Sequence, residues 1–65
     1  MKQPPKIGER LVVHGMSRFA TLVESVEWNV ESNDWMIRLD WGNHGKSRVW
    51  FRDEGKIWKK WMELN

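Results

Sequence analysis

A small five-stranded all-β barrel is what this chain of 65 residues predicts, on three observations. Short apolar or alternating runs recur at close spacing between turn signals of Gly, Asn and Asp. One run, Arg18 to Trp28, is longer than the others and apolar on both sides only at its start, as a strand that bends around a barrel must be. The stretch from Trp35 to Phe51 alternates around a glycine-containing turn, which is the pattern of a hairpin.

The elements follow in order. Residues 1–6 hold both prolines and two lysines and read as an extended lead-in, with the barrel over 7–65. Leu11, Val12 and Val13 predict a first strand near 9–14, closed by His14-Gly15, with Gly15-Met16-Ser17 as the turn. The second strand runs 18–28: Ala20, Leu22, Val26 and Trp28 share one parity, and Phe19, Thr21 and Val23 the other. Asn29 to Asp34 is polar and reads as the loop into a third strand over 35–41. There Trp35, Ile37, Leu39 and Trp41 share a face, opposite Met36, Arg38 and Asp40. Gly42-Asn43-His44-Gly45 turns into a fourth strand over 46–52, with Val49 and Phe51 one way and Arg48, Trp50 and Arg52 the other. Asp53-Glu54-Gly55 stops it. The segment from Ile57 to Leu64 fits both helical and strand spacing; a short helical turn near 54–57 followed by a brief closing strand is favoured, because a fifth strand covers an open edge. Five such strands make an SH3-like barrel, whereas an OB-like barrel needs longer strands and a helix between the third and fourth.

Composition narrows the chemistry. There is no cysteine, so disulfides, thiolate metal sites and thiol catalysis are excluded. His14 and His44 have no partner at ligand spacing, and neither metal nor cofactor is expected. No nucleophile sits beside a candidate base, no phosphate loop is present and no paired carboxylates suggest a cleft, so no enzyme is expected. No apolar run approaches a membrane span, and Met1-Lys2-Gln3-Pro4-Pro5 lacks the apolar stretch of a signal peptide. The expectation is a soluble intracellular protein, cytoplasmic, or nuclear in a eukaryote.

Charge is divided along the chain. Between Glu24 and Trp41 stand five acids against Arg38 alone, and between Gly42 and Met62 six bases against Asp53 and Glu54. An acidic partner would be steered to the later half, unless acidic and basic strands neutralise each other across the sheet.

Gly15, the run Phe19-Ala20-Thr21-Leu22-Val23-Glu24-Ser25-Val26, and Trp35 through Trp41-Gly42-Asn43 resemble the Tudor pattern over roughly residues 9–52: a glycine turn, an Ala-Thr-apolar strand, then an alternating strand ending in aromatic-Gly-Asn. The resemblance implies a five-stranded barrel, and in many members an aromatic cage for methylated lysine or arginine. Trp41 then matches a cage aromatic and Asn43 the asparagine that hydrogen-bonds the ligand. Arg38 stands where another cage aromatic belongs, and Leu11 where an aromatic wall is expected; Phe19 or Trp50 is left to supply a wall from another direction.

Six tryptophans in so short a chain exceed what one small core can hide. Trp50, flanked on its face by Arg48 and Arg52, is either exposed or buries two guanidinium groups, and exposing an indole costs less. Trp41 is expected at the core rim first and as a ligand platform second. Trp28 and Trp35 are expected to pair across the hairpin, and Trp58 and Trp61 cannot both face inward from a strand. The favoured function is a non-catalytic module that binds a protein or peptide through Trp41, Asn43, Trp50, Arg48, Arg52 and Phe19. The alternative is a nucleic-acid-binding barrel using Arg48, Arg52, Lys56, Lys59 and Lys60, with bases stacked between cations. Monomer and homodimer both fit, since a dimer would bury surplus indole.

Overall fold

The computed structural model describes residues 3–15 and 21–61. It contains β1 (Arg10–Val13), β2 (Thr21–Asn29), β3 (Asp34–Asp40), β4 (Lys46–Trp50) and β5 (Trp58–Lys60), with 3-10 turns at Gly42–His44 and Phe51–Asp53. All pairings between these strands are antiparallel, in the order β4-β3-β2-β1-β5. The closing segment is therefore a strand. The fourth strand ends earlier than expected: a 3-10 turn at Phe51–Asp53 takes up the last two residues read as strand, Phe51 and Arg52. Directly after it the Lys56 and Ile57 amides donate to the Asp53 carbonyl at 3.0 and 2.8 Å, so the chain near 54–57 makes a single helical-type turn that is not continued. Two acids and Gly55 supply no apolar stripe that would prolong a helix.

The second strand explains its mixed pattern by a bulge. Its pairing with β3 shifts between Val23 and Ser25, so the inward parity changes within the strand. Thr21 and Val23 are buried before the shift, while Val26 packs on the core after it. Leu22, grouped by parity with Val26, consequently lies on the outer side and is 45% exposed. Phe19 and Ala20, with the rest of the expected turn at 16–17, lie outside the described residues.

The core is Leu11, Val23, Ile37, Leu39, Val49 and Trp58, with Val13, Val26, Trp41 and Phe51 packed against it. Both hairpin turns use residues suited to left-handed backbone. Asn33 (φ 53°) closes the β2–β3 loop, whose Ser32 amide donates to Asn29 Oδ1 at 2.9 Å. Gly42 (φ 64°) and Gly45 (φ 94°) bracket the β3–β4 turn, where the Gly42 amide donates to Asp40 Oδ1 at 2.8 Å.

The expected lead-in is partly tied down. Pro5 is buried, and the Lys6 carbonyl accepts from the Glu9 amide at 3.0 Å while the Lys6 amide donates to Glu9 Oε1 at 3.3 Å. Among the described residues no ladder joins β4 to β5; the two ends of the strand order meet where the Trp58 indole N–H donates to the Trp50 carbonyl at 2.8 Å. No helix among the described residues is long and apolar enough to cross a membrane.

Candidate functional site

The outer face of the β3–β4 hairpin carries the exposed chemistry. Pairing is symmetric about Asn43 and sets Asp40 opposite Lys46, Arg38 opposite Arg48, and Met36 opposite Trp50. Directly opposed residues point to the same side of a sheet, and the alternate residues Ile37, Leu39 and Val49 fill the core beneath. Met36 is buried although it lies on this outer side, and the Arg48 guanidinium donates to its sulfur at 3.8 Å while standing 5.8 Å from the centroid of the Trp50 ring. Trp50 is half-buried. Beside it a cavity of about 340 Å³ is lined by Glu31, Ser32, Trp50 and Arg52.

Arg52 is held rather than free. Its backbone amide and Nε each donate to Asp34 Oδ2 at 3.0 Å, and its Nη2 donates to the Ser32 carbonyl. Burial pushes the Asp34 carboxyl up, but hydrogen bonds from the Arg52 amide and guanidinium and from the Trp35 amide, with the Arg52 charge, outweigh it and hold the carboxyl below its ordinary value. Arg52 thus fastens the β2–β3 loop to the end of β4 and makes a fixed wall of the cavity.

A second cavity on this face, about 200 Å³, is lined by Glu24, Arg38, Lys46, Ser47 and Arg48. Glu24 is ion-paired with Lys46 and raises its ammonium above the ordinary value by hydrogen bond and charge, an effect that Arg38 opposes. Part of the charge asymmetry is therefore cancelled across the sheet, at Lys46–Glu24 and Arg52–Asp34.

The other expected residues lie elsewhere. Trp41 packs on the core and its indole N–H donates to Ser47 Oγ at 2.6 Å. Asn43 is exposed on the 3-10 turn. Trp41 lies just past the end of β3 and packs on the core side, whereas Trp50 shares the outer face with Met36, so the structure does not bring them into one cage. Trp28 and Trp35 pair edge to face at 5.3 Å, which closes the β2–β3 hairpin while leaving Trp28 49% exposed. Trp58 is fully buried and Trp61 is 39% exposed, the division that a closing strand requires. Lys59 and Lys60 sit on β5, at the far end of the strand order from Arg48, and Lys60 approaches Glu9 at 3.9 Å; Lys56 is exposed in the preceding turn.

Met36, Glu31, Ser32 and the pairing of Arg38 with Arg48 were missed by sequence reasoning. The last was recoverable: positions equidistant from Asn43 face each other once that residue is taken as the hairpin centre. Among the described residues no three His, Asp or Glu side chains come together as a metal site. No protein-family model, curated protein or solved structure matches the chain.

Proposed function

We propose that this chain is a non-catalytic binding module of SH3-like, Tudor-like form that recognises a peptide segment of a partner protein at Trp50. The observation that carries the reading is the setting of that indole: partly exposed, stacked by Arg48, and bordering a cavity that is also lined by Arg52, which Asp34 holds by two hydrogen bonds. A rigid aromatic wall loses little conformational entropy on binding, and Trp with Arg is the usual composition of an interaction hot spot. The strand order and the 3-10 turn before the last strand support the barrel form, with the Trp58–Trp50 hydrogen bond drawing the two sheet edges together.

A methyl-ammonium cage is less supported, because Trp41 is engaged by Ser47 and the core on the side away from Trp50. What weighs against a nucleic-acid groove is that two of its cations, Arg52 and Lys60, already face carboxylates, Asp34 at 3.0 Å and Glu9 at 3.9 Å. Selection from a displayed library of linear peptides tests the reading. Peptides retained by the wild-type protein are expected to bind Trp50→Ala at least about tenfold more weakly, a loss of about 1.4 kcal/mol, while circular dichroism shows the variant folded. Equal retention by a folded Trp50→Ala protein, or no retention at all, overturns it.

A further inference from the structure

Arg38 and Arg48 stand directly opposite each other on adjacent strands, both exposed, and like charges so placed repel. Among the described residues neither guanidinium has a carboxylate within ion-pair distance. Lys46, the third cation on the 200 Å³ cavity they line, is engaged by Glu24. Ser47 contributes to the same lining, and Arg48 also stacks on Trp50, so this cavity and the Trp50 surface share a residue.

We propose that Arg38 and Arg48 form a carboxylate subsite, and that the peptide held at Trp50 carries an Asp or Glu side chain that these two guanidiniums clamp. The inference rests on the peptide-binding reading and adds the chemistry of the ligand. Guanidinium–carboxylate contacts are charge-assisted and directional, and a carboxylate between the two arginines replaces repulsion by two attractions. A polyanion is disfavoured by the border of the site. Glu24 lines the cavity, and Glu27 and Glu31 are exposed along β2 and the loop that follows it. That acidic margin repels a continuous phosphate backbone but leaves room for one or two carboxylates.

The test uses two immobilised peptide sub-libraries with the same randomised apolar and Pro positions, one with Glu and one with Gln at the fixed polar positions, and a dT12 oligonucleotide as competitor. The Glu set is expected to bind wild-type protein about tenfold more tightly than the Gln set, as a charge-assisted contact of this kind supplies. That preference is expected to vanish in Arg38→Gln/Arg48→Gln, whose fold is checked by circular dichroism, while the residual binding still depends on Trp50. Glu and Gln sets that bind equally, both lost in Trp50→Ala, overturn the carboxylate subsite and leave the peptide reading standing. Absence of binding by either set overturns both. Displacement of the Glu set by dT12 at equal or lower concentration also overturns the proposal, in favour of a nucleic-acid surface.

Discussion

Trp58 has no exposed surface, and its one polar atom finds the Trp50 carbonyl at 2.8 Å. Eight residues earlier in the chain, Trp50 keeps part of its ring open above Met36. Truncation should separate the two. Trp58→Ala is expected to lose about 3–5 kcal/mol in urea denaturation, enough to unfold much of so small a domain, whereas Trp50→Ala should remain folded. Ser25 offers a gentler probe. Its hydroxyl is buried at the β2 bulge without a hydrogen-bond partner among the described residues, so Ser25→Ala should leave stability unchanged or raise it by up to about 1 kcal/mol, because the alanine has no hydroxyl to desolvate. None of this could be read from composition: six identical indoles receive different roles from strand parity and from what lies across the sheet.

The Asp34–Arg52 clamp joins the β2–β3 loop to the end of β4, and its pH dependence follows from the depressed carboxyl. Since the folded state holds Asp34 below the value it has in the unfolded chain, near 3.8, the clamp stabilises fully above that value and is lost as pH falls through the folded one. Asp34→Asn should therefore cost about 1–3 kcal/mol at neutral pH, the penalty of removing a charged partner from a buried network, and should flatten the acid limb of a denaturation-against-pH curve. The β3–β4 hairpin gives the opposite sign. Arg38→Gln relieves a like-charge pair and should raise the melting temperature at low salt, by no more than about 1 kcal/mol equivalent, with the gain shrinking as salt is added. The hairpins themselves were largely legible, because strict alternation and Gly or Asn at the turns leave few registers open. The boundary at Trp50 was not: Phe51 continues the apolar alternation, yet the chain has already entered a 3-10 turn.

For the molecule as a whole, β2 and β3 are central in the strand order and share the longest ladder, from Leu22 opposite Asp40 to Asn29 opposite Asp34. Their amides should exchange most slowly with solvent, and those of the three-residue β5 at the edge fastest among the strands, as read by hydrogen exchange at neutral pH. The surplus of indole persists after folding, with Trp28 and Trp61 in view of solvent and Trp50 partly so. The expected split between an acidic early half and a basic later half survives only in part, because Glu24 and Asp34 each capture a cation from the other half.

Alternation, turn residues and the absence of cysteine were enough to specify five short strands, the Trp28–Trp35 pair and an aromatic excess, since these depend on neighbours in the chain or on period two. Which tryptophan became core, which arginine was clamped and which two arginines were set face to face depended on register and on a one-residue bulge. A shift of one position in pairing turns every side chain of a strand to the other side, and only the packed sheet selects among such shifts.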